Sequence, residues 1–273
     1  MEKRYITING ISQCEMLGSQ TLNYFCLYAI SKRTGHEVAI STAPHCFQGI
    51  IPECFDTPFS LFPQNVPCEI FHSKLCHNPE IEEDLYKLDL NHNYDINACF
   101  YYGYLYWKDI LPELKTKFKI KSKFLEEAQN IINGIGRPTA CLNFRRGTYP
   151  LYMDNYMDYY KRALEQIPDD VVLLLLSEDF NWINSSKELQ QLVEGREVVR
   201  ANFLNYVQLS LLSLCDYNVC CPSSFCILGS ILSTNPKQVV MFPYLSDAKL
   251  HNTFFVFRCM VDETFPSWLQ IKF

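Results

Sequence analysis

Cys141-Leu-Asn-Phe-Arg-Arg-Gly-Thr-Tyr149 decides how the rest of the chain is read. A short apolar run, residues 139–143, ends abruptly in two adjacent arginines, a glycine and a tyrosine. The apolar part predicts a buried strand. Arg145 and Arg146 then stand just past its C-terminal end, the edge at which open α/β sheets bind ligands. A guanidinium is a planar, permanently charged fork of donors suited to phosphate oxygens. Gly147 lets the backbone turn or approach a ligand closely. The stretch reads as a pyrophosphate clamp at the mouth of a nucleotide site, against the plainer alternative of an arginine pair solvating a loop.

Downstream, the chain alternates. Strands are expected over 171–176, 197–199, 217–221 and 238–242. Helices are expected over 155–166, 203–214 and 225–232. The run Val171 to Leu176 is apolar throughout, as a strand buried on both faces requires. Repeated strand–helix alternation predicts an α/β fold with a parallel sheet covered by helices.

Upstream, residues 4–8 predict a first strand, followed by a polar loop over 9–19. A helix over 20–33 places Leu22, Phe25, Cys26, Ala29 and Ile30 on one face. Lys32 and Arg33 suit its C-terminus and Gly35 its end. A second strand is expected over 37–41, completing a βαβ start. The glycine pattern G-x-G-x-x-G is absent, so no nicotinamide or flavin site is assigned. Residues 44–80 read as irregular, broken by Pro44, Pro52, Pro58, Pro63, Pro67 and Pro79. Their His45, Cys46, Cys54, Cys68, His72, Cys76 and His77 form no C-x-x-C pair. They read as packing or surface residues, with zinc the lesser alternative.

The aromatics from Tyr94 to Trp107 read as core packing, with a sugar-stacking platform as the alternative. Lys108, Lys115, Lys117, Lys119, Lys121 and Lys123 form a basic patch, with a helix expected over 111–123. Such a patch is ordinarily a solvated face; the alternative is contact with an anionic acceptor or a membrane surface. A further helix is expected over 124–133. Gly134-Ile-Gly-Arg-Pro138 then breaks the pattern. It divides the chain into domains 1–134 and 135–273, and residues 261–273 are expected to pack back on the first.

The chain of 273 residues, 48% hydrophobic and 14% aromatic, can bury a full core. A net charge of −6 argues against a general nucleic-acid binder. Thirteen cysteines, with no apolar leader at the start and no run long enough to cross a membrane, read as reduced thiols in a cytoplasmic protein.

Three polar constellations follow strands of the second sheet: Arg145-Arg146-Gly147, Ser177-Glu178-Asp179, and Ser223-Ser224. Parallel strands present their C-terminal ends on one edge, so all three open together. Ser223 and Ser224 begin a helix, whose unpaired N–H groups favour an anion. Taken singly, Ser223 and Asp179 are ordinary N-caps. Together with two arginines they point to a diphosphate site, with Glu178 or Asp179 available to a ribose or a base.

Here the sequence resembles a known family, the bacterial α-1,2-fucosyltransferases (family-11 glycosyltransferases) within the wider group of GDP-fucose-dependent enzymes. The family pattern His-x-Arg-Arg-Gly-Asp-Tyr is matched by Asn143-Phe144-Arg145-Arg146-Gly147-Thr148-Tyr149. Its Phe-Ser-Asp-Asp-x-x-Trp block is matched by residues from Leu176 through Ser177, Glu178 and Asp179 to Trp182. Its third block is matched by Ser213-Leu214-Cys215-Asp216-Tyr217-Asn218 and Pro222-Ser223-Ser224-Phe225. The N-terminal Leu-Gly-Asn-Gln loop appears as Leu17-Gly18-Ser19-Gln20, and Gly103-Tyr104 sits in a similar aromatic block. The sequence departs from the family at Asn143 for histidine, Thr148 for aspartate, Glu15-Met16 for a glycine pair, and Cys226-Ile227 for tryptophans.

The resemblance implies a GT-B fold, two Rossmann-like domains facing across a cleft. It implies GDP-β-L-fucose as donor substrate, a glycan hydroxyl as acceptor, inversion at the anomeric carbon, and no cofactor or metal. Carried over, Arg145 holds the β-phosphate and stabilises the departing GDP, and Arg146 supports the loop. Ser223, Ser224 and Phe225 line the diphosphate. Asn143, Ser177, Glu178, Asp179, Gly18, Ser19 and Gln20 complete the donor-binding set. With Thr148 unable to ionise, Glu15 is the candidate general base.

Overall fold

The computed structural model describes residues 3–8, 16–40, 50–63, 66–73, 80–97, 103–146, 157–244 and 252–273. The chain forms two compact units. One comprises Met1–Lys119 with Leu250–Thr264, the other Ile120–Lys249 with Phe265–Phe273.

The first unit contains β1 (Tyr5–Thr7), α1 (Leu17–Thr34), β2 (Glu37–Ile40), α2 (Ile50–Cys54), β3 (Ser60–Leu61), β4 (Glu69–His72), β5 (Tyr94–Asn97), α3 (Tyr104–Trp107) and α4 (Leu111–Lys117). Its sheet runs β3-β2-β1-β5-β4, every pair parallel. The stretch read as irregular therefore holds a helix and both edge strands. They escape a sequence reading because they are short, flanked by prolines and largely exposed, so no alternation marks them.

The helix α1 is buried on more than one face. Beyond the expected apolar residues, Thr21, Asn23, Ser31 and Thr34 are buried. The hydroxyls of Thr21, Ser31 and Thr34 donate to the carbonyls of Leu17, Tyr28 and Ile30, which lets them enter the interior without unmet hydrogen bonds. Gly35, at φ 83°, closes the helix in the left-handed conformation, its N–H returning to Ser31 O. Phe118 packs edge-on against Phe25, Tyr24 and Phe55, with centroids 4.8, 5.2 and 5.5 Å away. This burial explains why the helix expected over 111–123 stops at Lys117: the chain leaves helical geometry to insert Phe118. Tyr94, Tyr104, Tyr106 and Trp107 are likewise buried, whereas Phe100, Tyr101 and Tyr102 lie outside the described residues.

The second unit contains α5 (Ser122–Ile135), β6 (Thr139–Phe144), α6 (Met157–Leu164), β7 (Val172–Ser177), α7 (Phe180–Ser185), α8 (Lys187–Leu192), β8 (Val198–Arg200), α9 (Asn205–Leu214), β9 (Tyr217–Val219), α10 (Ser224–Ile231) and β10 (Val239–Pro243). After α11 (Asn252–Thr264), which belongs to the first unit, β11 (Leu269–Ile271) completes the second. Within the first unit, α11 is joined to the residue after α3 by a Lys108–Glu263 ion pair of 3.2 Å.

The division at 119–120 differs from the one expected at 134–138. The glycine-rich break there is a helix stop: Gly136 at φ 65° returns its N–H to Ile132 O, and the chain passes almost directly into β6. The helix before it packs on α9, with Phe124 and Tyr206 rings 4.8 Å apart, so it belongs to the second core.

The second sheet runs β11-β10-β9-β6-β7-β8, all parallel. Read from β8, the strands come in the order third, second, first, fourth, fifth, sixth, the doubly wound arrangement whose direction reverses between β6 and β9. All residues of β6 and β7 are buried. Asn218, fully buried in β9, donates from Nδ2 to Leu212 O at 2.6 Å and Ser230 Oγ at 2.9 Å, tying the strand to α9 and α10. Those helices approach closely: a Cβ on Gly229 would lie 2.5 Å from Leu212 Cβ.

Candidate functional site

Three neighbouring strands, β9, β6 and β7 in that order, deliver the expected constellations to one edge of the second sheet. Phe144 pairs with Ser177, so Arg145 and Glu178 each follow the last paired residue of their strand. On the other side of β6, Leu142 pairs with Val219, and the chain reaches Ser223 four residues later. Arg145 and Ser223 therefore flank the reversal point of the sheet, the place at which open α/β sheets bind ligands.

The two arginines have different neighbours. Arg145 Nε lies 3.6 Å from Glu178 Oε1, both side chains about one-third exposed. The Arg146 guanidinium lies over the Trp182 ring, 4.8 Å from its centroid, while its backbone N–H donates to Glu178 Oε1 at 2.8 Å. Trp182 in turn packs on Phe144, and Phe144 on Tyr160. An aromatic column thus runs beneath Arg146.

Asp179 caps α7, accepting the Trp182 N–H at 2.9 Å. This uses one carboxylate oxygen to orient the helix that carries Trp182. The Ser177 hydroxyl accepts the Asp179 N–H at 3.1 Å and lies 3.5 Å from Glu178 Oε2. Ser223 caps α10, its hydroxyl accepting the Phe225 N–H at 3.2 Å. Ser224 opens that helix, and it and Phe225 are half-buried.

Asn143 faces inward. Its Oδ1 accepts the thiols of Cys226 at 3.0 Å and Cys221 at 3.2 Å, and the residue is 6% exposed. Burial pushes the Cys226 thiol well above its usual pKa, keeping the sulfur protonated as a donor. Tyr160 O–H donates to the Asn143 carbonyl at 2.6 Å. The residue that stands where the resembling family has histidine is an internal strut between β6 and the segment leading into α10.

Gly18, Ser19 and Gln20 lie in the first turn of α1, which begins at Leu17, three residues earlier than expected. They form helix rather than loop, with Gly18 and Gln20 buried. Glu15, Gly147, Thr148 and Tyr149 lie outside the described residues, as do His45, Cys46, Cys76 and His77. Among the described residues, no three His, Cys, Asp or Glu side chains are grouped to hold a metal ion. Asp169 and Asp170 precede β7, on the edge opposite Arg145. The lysine patch does not form one helix: Lys117 lies over the Tyr28 ring at 4.9 Å, and Lys108 is paired with Glu263. Among the described residues, no helix is long and apolar enough to cross a membrane.

A reading of residue types did not single out Trp182 as the seat of Arg146 or Glu178 as the acceptor of its N–H. Both stand in the block from Leu176 to Trp182. The signal present in sequence is Glu178, an acidic residue one position past the end of β7, which comes to stand opposite Arg145 only once β6 and β7 are paired.

No protein-family model matches the sequence, and neither does any curated protein. Solved structures do match the fold. The α-1,6-fucosyltransferase NodZ soaked with GDP-fucose aligns with a TM-score of 0.54 and 14% identity, over 85% of this chain and 93% of that one. Fucosyltransferase NodZ from Bradyrhizobium gives a TM-score of 0.56 and 12% identity, over 85% and 94%. POFUT1 in complex with GDP gives 0.59 and 12%, over 88% and 98%. The chain shares with these proteins an α/β fold with two parallel sheets, the GT-B class.

Proposed function

We propose that this chain is a glycosyltransferase that moves fucose from GDP-β-L-fucose to a glycan hydroxyl. The observation that carries the reading is the convergence of Arg145, Arg146 and the α10 N-terminus at the reversal point of a doubly wound sheet. That convergence occurs on a fold shared with structures holding GDP or GDP-fucose.

In the proposed reaction, the acceptor oxygen attacks the anomeric carbon of fucose as the bond to the GDP oxygen breaks, with inversion. The leaving diphosphate gains negative charge. Arg145 meets that charge with fixed donors, and the α10 N-terminus adds its dipole. A cationic side chain in this role supports metal-independent transfer, and the placement of Asp169 and Asp170 on the far edge of the sheet is consistent with it. The acceptor proton passes to a carboxylate, for which Glu15 is proposed. The α-1,2 linkage rests on the sequence blocks alone. A cytoplasmic location rests on the reduced cysteines, and membrane contact through residues 108–123 on the lysine pattern.

The inward Asn143 favours a second reading, a transferase of the same fold with another nucleotide sugar, because the position of the motif histidine is occupied by an internal hydrogen-bonding residue. Calorimetry with GDP, UDP and ADP separates the two. Preference for GDP, with turnover of GDP-fucose, supports the first. A preference for UDP or ADP overturns it. Absence of binding to all three leaves a protein that kept the fold without the donor site.

A further inference from the structure

We propose that Glu178 is a positioning residue for the Arg145–Arg146 clamp, acting on the diphosphate through Arg145. The inference rests on the nucleotide-sugar reading above and adds a residue to its machinery.

One oxygen, Glu178 Oε1, serves both arginines. It accepts the Arg146 N–H at 2.8 Å and lies 3.6 Å from Arg145 Nε. The first contact fixes the backbone just where the chain leaves β6. The second puts a negative charge beside the Arg145 guanidinium on its Nε side. A guanidinium drawn toward a carboxylate at its Nε edge can still offer its two terminal nitrogens end-on to a phosphate as a bidentate pair. The Arg146 side chain is committed elsewhere, to the face of Trp182. Arg145 is thus the arginine whose direction Glu178 sets.

Glu178 is itself supported. It follows Ser177, whose pairing with Phe144 places it beside the arginine loop. It precedes Asp179, which caps α7. The carboxylate is held by strand register on one side and by a helix cap on the other. Its negative charge beside Arg145 also opposes an incoming diphosphate, so ground-state affinity and catalysis respond differently to its removal.

The test uses the full chain, with Glu178→Ala, Glu178→Gln, Arg145→Ala and the Arg145→Ala/Glu178→Ala double variant. Expected for Glu178→Ala is a loss of about tenfold in kcat for GDP-fucose turnover, the scale of a residue that orients a functional ligand, with GDP affinity held or improved. Glu178→Gln keeps an acceptor for the Arg146 N–H and recovers most of the rate. The double variant is no slower than Arg145→Ala alone, since the effect passes through Arg145. A readout independent of donor is the Arg145 Nε–H resonance, labelled with nitrogen-15. It moves and exchanges faster in Glu178→Ala. An unmoved resonance, or losses that multiply in the double variant, overturns the inference. A wild-type protein that binds no nucleotide overturns the functional reading instead, and the resonance still decides the positioning role.

Discussion

The Cys226 thiol donates to the Asn143 carboxamide oxygen at 3.0 Å, linking the end of β6 to the first turn of α10. Cys221 donates to the same oxygen at 3.2 Å. Asn143→Ala removes the acceptor from two buried thiols and leaves a small cavity. The expected cost is about 1–3 kcal/mol of stability, read as a lower denaturation midpoint. A residue whose only role was to touch donor would lower GDP affinity with the midpoint unchanged.

Arg145→Ala is expected to be the most damaging single change to transfer. One preorganised donor at a developing anion contributes about 2.7–4 kcal/mol, or roughly 10²–10³ in kcat. Lysine does not restore the rate in full, because a point charge lacks the fork. Arg146→Ala instead removes the stacking on Trp182 and shows a larger share of its effect in melting temperature. Calorimetry with GDP, transfer rates and melting curves on both variants check the pair. Wild-type rate and GDP affinity in a folded Arg145→Ala protein would remove the clamp from the mechanism.

Glu15→Gln is expected to lower kcat on the true acceptor while leaving GDP affinity unchanged, since a general base acts on the acceptor proton. Chelator is expected to leave the wild-type rate unchanged. Full activity in Glu15→Gln assigns the base elsewhere. A strict requirement for added Mn²⁺ counts against charge stabilisation by Arg145 alone.

Gly229→Ala is expected to destabilise despite alanine's better helix propensity. Its Cβ would meet Leu212 Cβ at 2.5 Å, a backbone-proximal atom that cannot rotate aside. Overpacking of this kind costs about 1–3 kcal/mol, more than the ~1 kcal/mol gained in propensity at its upper bound. A melting temperature equal to or above wild type would mean that α9 and α10 separate without cost.

His36 predicts a loss of stability in mild acid. The residue is buried, its ring nitrogens 2.9 Å from Thr34 Oγ1 and 3.1 Å from His92 O, with Tyr94 edge-on at 5.5 Å. Burial, only partly opposed by the His92 and Asp89 backbone and the Asp89 carboxylate, holds its pKa below the usual 6.5. The unfolded chain therefore takes up a proton near pH 6.5 that the folded chain refuses. Stability is full above that pH, falls as pH drops below it, and levels off beneath the folded pKa. The lowered carboxylates Glu37, Glu113 and Glu263 act below the ordinary 4.5 of a glutamate, outside this window. Denaturant midpoints at pH 7.5 and about 5 should differ in wild type and converge in His36→Gln. Equal slopes in the two proteins would assign the acid effect to other groups.

The second sheet was legible in the chain because its signals are local. Val172 to Leu176 is apolar at every position, as a strand covered on both faces requires, Ser177 to Asp179 is a polar stop at its end, and Ser223 is a helix cap. The edge strands β3 and β4 were not legible, because their side chains are mostly solvated and only pairing with β2 and β5 makes them strands. Nor was the unit boundary: Gly136 ends a helix whether or not a domain ends with it, and only the packing of α5 on α9 assigns that helix to the second core.

The sequence by itself determined that two arginines, an acidic pair and two serines follow parallel strands, and hence that they share one edge. Tertiary structure decided what each does there. The strand order put Arg145 and Ser223 on either side of the reversal point, which no local pattern encodes. Register put Glu178 beside both arginines and Trp182 under one of them. It turned Asn143 onto Cys221 and Cys226, residues far apart in the chain, because hydrogen bonds between buried groups are satisfied by whichever partners the fold brings within about 3 Å.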